Sequence, residues 1–188
     1  MSMQIQRGTI TQFINNIDTG ISNIRNQMLN QTSANGKLWL YDLKFNKSYP
    51  DPLFNTQQNF GEIIDQAFTY YVSMRAAEEL FNKFPWITYF DMNIGANNGT
   101  DIESNISSNG EVVLVEVFAV VRPSNNGKLS KEIRNIRKRK PSKAKARKIH
   151  RFVFFYCPDP NNYYINAYNY LNKVQKNKAT VQVKWINI

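Results

Sequence analysis

The stretch from Glu111 to Arg122 constrains the fold of this chain more than any other. From Val112 to Val121 every residue is apolar except Glu116. The run is shorter than the ~20 apolar residues that span a bilayer, and it reads as a buried strand. An ionised carboxylate inside such a strand is costly unless it is paired or holds a metal. Just upstream, Asn109-Gly110 signals a tight hairpin, and Asp101 to Ser107 reads as the strand of its other arm. Asp101 opens that arm after Gly95 to Thr100, a turn rich in Gly and Asn. Across the hairpin the side chains of Asp101 and Glu116 can converge. Two converging carboxylates form a hard oxygen site suited to magnesium. Magnesium between carboxylates and a phosphate is a recurring way to stabilise phosphoryl transfer. Two plainer readings stay open at this point. Asp101 is also an ordinary turn residue, and Glu116 can form a buried ion pair with Lys128 or Arg122.

Other elements follow from periodicity and breakers. Thr9 caps a helix that runs to about Asn30. Its Ile10, Ile14, Ile17, Ile21, Ile24 and Met28 repeat at heptad spacing, so the seam either packs on the chain's own domain or makes a dimer contact. Gly20 costs that helix roughly 1 kcal/mol relative to alanine. Leu38 to Phe45 reads as a strand, with Trp39, Tyr41, Leu43 and Phe45 on one face. Ser48 to Asn55 is a loop. Gly61 to Phe84 is a helix stopped by Pro85, and Trp86 to Ile94 is a strand. Lys128 to about Lys140 is a helix ended by Pro141, with Leu129, Ile133 and Ile136 inward. Arg151 to Cys157 is a buried strand, Asn162 to Lys173 a short helix, and Thr180 to Ile188 a final alternating strand. The expected class is α/β, a mixed central sheet flanked by helices.

A chain of 188 residues suggests one domain. Cys157 is the only cysteine. It cannot form an intrachain disulfide, it reads as inert core, and it fits a reducing cytoplasm. The polar segment Met1 to Arg7 has no apolar stretch of the signal-peptide kind, so a cytoplasmic protein is expected. One histidine, His150, beside one cysteine excludes a Cys/His zinc site. His150 reads as a strand-end residue, or as a general base or phosphate contact. No Ser-His-Asp pattern is present, and Gly127-Lys128-Leu129 lacks the glycine and Ser/Thr of a P-loop.

The net charge is +10, and half of the 24 basic residues lie between Lys128 and Arg151, with Glu132 the single acid among them. A patch this dense attracts phosphates and gives salt-dependent affinity. Arg134, Arg137, Lys138, Arg139, Lys140, Lys143, Lys145, Arg147 and Lys148 are the candidate phosphate contacts. The alternative is a solvated loop that favours solubility. Tyr163, Tyr164, Tyr168 and Tyr170 form a cluster that either packs a helix or stacks on single-stranded bases.

The turn that delivers Asp101, the hairpin, and Glu116 within Val115-Glu116-Val117-Phe118 resemble the active-site hairpin of the PD-(D/E)XK nucleases, which include many type II restriction endonucleases. The resemblance covers the helix–strand–hairpin–helix–strand succession from Glu62 to Cys157, within a core of residues 58–157. Residues 1–35 would add an N-terminal helix, and residues 158–188 a C-terminal helix and strand. It implies a restriction-endonuclease-like core and a magnesium-dependent DNA endonuclease. Asp101 and Glu116, with the backbone carbonyl of Val117, would hold the metal. Glu62 matches a further acid that many members carry on the preceding helix. The motif's lysine belongs two residues after the glutamate, where this chain has Phe118. Lys128 or Lys131, at the start of the next helix, would replace it. The expected partner is DNA, with RNA open, and a homodimer through the N-terminal helix would bring two sites to two strands. The alternatives are an inactive nucleic-acid-binding protein on the same scaffold, or an interaction protein whose basic loop docks on an acidic partner.

Overall fold

The computed structural model describes residues 2–30, 35–54, 56–93, 100–122, 127–143, 145–158 and 181–188. Its elements are β1 (Ser2–Gln6), α1 (Ile10–Leu29), α2 (Gly36–Phe45), β2 (Tyr49–Pro50), β3 (Gln57–Gln58), α3 (Phe60–Lys83), β4 (Tyr89–Asn93), β5 (Ile102–Ser104), β6 (Glu111–Ala119), α4 (Lys128–Lys138), β7 (Lys148–Tyr156) and β8 (Val181–Trp185). The apolar run lies at the centre. Among the described residues six strands form one mixed sheet in the order β1-β4-β5-β6-β7-β8. The pairs β1–β4, β4–β5 and β5–β6 are antiparallel, while β6–β7 and β7–β8 are parallel. Gly110 takes a φ of 77° at the hairpin between β5 and β6, a left-handed value that Gly adopts without strain.

The two faces of the sheet are covered differently. Val113, Val115 and Val117 of β6 join Ile5, Phe90, Ile102, Phe152 and Phe154 in one core beneath α1 and α3. Val112, Leu114 and Phe118 turn the other way and meet Leu129, Ile133 and Ile136 of α4. This is the period-2 alternation of a strand buried on both sides. The Lys148–Tyr156 strand begins three residues earlier than its apolar run suggested, because Lys148, Ile149 and His150 pair with Glu111, Val112 and Val113.

Three expectations need correction. Leu38 to Phe45 is helical, within α2, and not a strand. The Asn35 side chain caps it by accepting the backbone N–H groups of Lys37 and Leu38 at 2.9 and 3.3 Å. No residue of α2 is buried, so no covered face selects the alternating pattern that suggested a strand. β1 was not anticipated; it pairs with β4 from Ser2↔Asn93 to Gln6↔Tyr89. Within the Ser48 to Asn55 loop, Tyr49 and Pro50 pair with Gln57 and Gln58. The heptad seam of α1 is used internally: Ile10, Ile17 and Ile24 are buried, and Ile14, Ile21 and Met28 pack beside them. The seam thus packs on the chain's own domain. The expected helix Asn162 to Lys173, with the four clustered tyrosines, lies outside the described residues, as does most of the Gly95 to Thr100 turn.

Gly20 has a packing reason. A Cβ at this position would sit 2.6 Å from Cβ of Pro52. Gly20→Ala gains about 1 kcal/mol of helix propensity, but overpacking costs roughly 1–3 kcal/mol. A lower thermal midpoint for Gly20→Ala than for wild type is the expected result in a melting experiment.

Candidate active site

Asp101 and Glu116 converge because of strand register. Ile102 pairs with Val115 across the antiparallel β5–β6 ladder, so Asp101 and Glu116 are the next opposed positions. Opposed residues share a face of the sheet, here the α4 side. The described β5 ladder ends at Ile102, and Asp101 Oδ2 takes over by accepting the Val117 N–H at 2.8 Å.

The two carboxyls are hydrogen-bonded to each other, and burial raises both. Burial, then the charge of Asp101 and the hydrogen bond to it, push Glu116 up to about 9 from an ordinary 4.5. Burial also raises Asp101, against the opposing pull of the Val117 N–H and the Glu116 hydrogen bond. Like charges at this separation cannot both ionise cheaply in a buried site. Glu116 Oε1 is buried and makes no hydrogen bond; Arg139 Nε lies 3.6 Å from it.

The pair lines a cavity of about 790 Å³ at the carboxyl ends of β6 and β7. Lys128, Glu132 and Arg139 line it from α4 and the residue after it, and Asp65 and Phe68 line it from α3. Lys128 Nζ is 2.9 Å from Glu132 Oε1 and lies over the Phe118 ring at 5.9 Å from its centroid. Its charge favours the ionised form of Asp101, while the charge of Glu132 opposes ionisation of both carboxyls.

The remaining candidates divide. Glu62 does not reach the cavity. It is exposed and closes a capping box with Asn59, whose Oδ1 accepts the Glu62 N–H at 2.9 Å while the Asn59 N–H reaches Glu62 Oε2 at 3.2 Å. Asp65, three residues on, is the α3 acid that faces the site. Lys131 is exposed and does not line the cavity; the residue that shares the Lys128 face is Glu132, four positions on. Phe118 is buried against Phe155, with rings stacked at 5.6 Å. Val117 lines the cavity.

The basic stretch is less uniform than its sequence. Arg139 turns into the cavity rather than outward. Lys143 is an anchor: its Nζ is 2.8 Å from Asp91 Oδ2 and donates to the Ser104 carbonyl at 2.8 Å. Next to it, buried Glu103 accepts the Ser142 N–H at 3.0 and 3.1 Å and its hydroxyl at 2.9 Å. Lys148 and His150 both pair with Glu111, at 3.0 and 2.8 Å, so His150 is a strand-end residue of the sheet. Arg134, Arg137, Lys138, Lys140, Lys145 and Arg147 are exposed.

Sequence reasoning missed Asp65, Glu132 and Arg139 as cavity residues. Asn59-x-x-Glu62 is itself a capping-box signature and would have freed Glu62 from the site and moved attention to Asp65. Arg139 carries no comparable signal, because it follows the last turn of α4 in a run of cations.

Comparison with protein-family models, with curated proteins and with solved structures finds no match to this chain. No helix among the described residues is long and apolar enough to cross a membrane.

Proposed function

We propose that this protein is a magnesium-dependent DNA endonuclease with a restriction-endonuclease-like core. The observation that carries the reading is the pair Asp101 and Glu116, opposed on neighbouring strands in a cavity that Lys128 and Arg139 also line. The succession α3, β4, hairpin, α4, β7 is the one the resemblance implies, and it supports the same reading.

The residues present fit a magnesium ion. Glu116 Oε1 is a buried oxygen with no hydrogen bond, and the Asp101 carboxylate faces it. Among the described residues no three acid, histidine or cysteine side chains are grouped to hold a metal. Magnesium keeps several waters and takes one or two carboxylates plus substrate phosphate. Asp101, Glu116 and the Val117 carbonyl would hold it, and it would supply Lewis-acid polarisation of the phosphate and an acidified water. Lys128 stands in for the motif lysine: its ammonium lies over Phe118, above the position where that lysine would start. It orients the attacking water and offsets negative charge that develops on the phosphate. Arg139 balances Glu116. The exposed cations Arg134, Arg137, Lys138, Lys140, Lys145 and Arg147 track the backbone phosphates, which positions the strand without reading its sequence.

A specific observation favours a second reading, a DNA-binding protein without catalysis. Phe118 is packed into the core against Phe155, so the motif's own lysine position is closed. Cleavage of plasmid and phage DNA with magnesium, manganese or EDTA separates the two. Metal-dependent cutting that disappears in Glu116→Ala supports the nuclease. Salt-sensitive DNA binding with no cutting by either protein supports the inactive scaffold. Absence of any nucleic-acid affinity leaves the basic stretch as a docking surface for an acidic protein, and ends both.

A further inference from the structure

The cavity is larger and more apolar than a metal ion and a phosphate require. It wraps around the end of β6, with the carboxyl pair and α4 on one side. On the other side stand Ile64 and Phe68 of α3 and Tyr156 of β7. Ile64 and Phe68 are spaced one helical turn apart and are 41% and 42% exposed. The Phe68 ring lies parallel to Tyr156, with centroids 5.9 Å apart and planes 4° from coincidence. An exposed aromatic face in a cavity rimmed by Lys128 and Arg139 has no role in holding a cation.

We infer that Phe68, backed by Tyr156, is a stacking platform for an unpaired nucleobase, so that the preferred substrate is a DNA strand that is single at the cavity. This deepens the proposed function and rests on its premise that a nucleic-acid strand enters this cavity. Two observations converge on that occupant. The cavity, at about 790 Å³, falls within the ~300–1,000 Å³ of pockets that enclose a whole small ligand. The platform and the carboxyl pair line the same cavity. A base inside a duplex keeps both faces stacked and must first be extruded, at a cost of a few kcal/mol. An unpaired base meets the ring directly, and base–aromatic stacking is worth about 1–3 kcal/mol.

The test uses the full chain in EDTA, so that no cutting intervenes. The probe is a single-stranded DNA oligonucleotide carrying 2-aminopurine, whose fluorescence is quenched by stacking, and the same strand in a duplex. Wild type is expected to quench the single strand and bind it more tightly than the duplex. Phe68→Leu keeps the apolar bulk and removes the ring. It should lose the quench and weaken single-strand binding about thirtyfold, near the middle of the stacking range, with duplex binding within twofold. Phe68→Tyr should restore both. Equal quenching by wild type and Phe68→Leu, or equal losses on single strand and duplex, would overturn the assignment. The nuclease reading fails separately. A wild-type quench without metal-dependent cutting removes the catalysis and leaves the platform, and cutting of duplex DNA without a quench does the reverse.

Discussion

Glu116→Gln makes the protein more stable at neutral pH, and the gain grows as pH rises. Folded Glu116 keeps its proton up to about pH 9, whereas an ordinary glutamate releases it near 4.5. Below about 4.5 both states are protonated and the residue is neutral for stability. Between the two values the folded chain binds the extra proton, so stability falls with rising pH. At pH 7 the penalty is on the order of 3 kcal/mol, since one pKa unit corresponds to about 1.4 kcal/mol. Near pH 5 it shrinks below about 1 kcal/mol. Glutamine has the same shape, carries no proton to lose, and donates from its amide to Asp101. In a domain of this size ~1 kcal/mol moves the midpoint by roughly 2–4 °C, so a rise of about 5–10 °C at pH 7 is expected. Thermal melts of both proteins from pH 5 to 8 in EDTA check it. Equal midpoints throughout would show that the carboxyl pair is not strained. Magnesium should raise the wild-type midpoint more at pH 8 than at pH 6, because the proton must leave first, and should barely move that of Glu116→Gln.

Lys128→Ala should lower the rate of magnesium-dependent cleavage by about 10²–10³, the loss that follows removal of one charge-stabilising donor from a reacting oxyanion. DNA affinity should fall far less, because the exposed cations of 134–147 remain. Lys131→Ala, a change on the exposed side of the same helix, should leave cleavage within about twofold, as surface changes usually do. Single-turnover rates for the two variants, measured beside equilibrium binding, distinguish a lysine at the chemistry from a lysine that only attracts DNA. A larger loss in Lys131→Ala than in Lys128→Ala would reverse the assignment.

The legible parts of the chain were those in which local pattern and tertiary burial agree. Glu111 to Ala119 is apolar because both its faces are covered, and α3 stops where Pro85 stops it. The hairpin register, set by Asn109-Gly110, brought Asp101 opposite Glu116. What the sequence hid depended on neighbours distant along the chain. The alternation of Trp39, Tyr41, Leu43 and Phe45 signals a strand only if another layer covers one face. Among the described residues only Leu43 packs inward, against Ile24, Tyr49 and Ile63, and the Asn35 cap favours helix. β1 holds only Met3 and Ile5 as apolar residues, and its partner is β4. The site shows the same division. Its acids on the hairpin follow from pairing geometry, whereas Asp65 and Arg139 arrive through the phase of α3 and the exit of α4, which no motif spacing encodes.

The position of β1 has a consequence for how the molecule assembles. Gln4 and Asp91 contact each other across 87 positions of chain. The entropy of closing such a loop grows only slowly with its length, but non-local pairing of this kind slows folding. During synthesis β1 leaves the ribosome long before β4 exists. α1 likewise waits for α3, whose Tyr70, Met74 and Ala77 share its core. Met3 and Ile5 stay without their strand partners until β4 emerges. Until β1 pairs with it, β4 presents an open row of backbone donors and acceptors to any other extended chain.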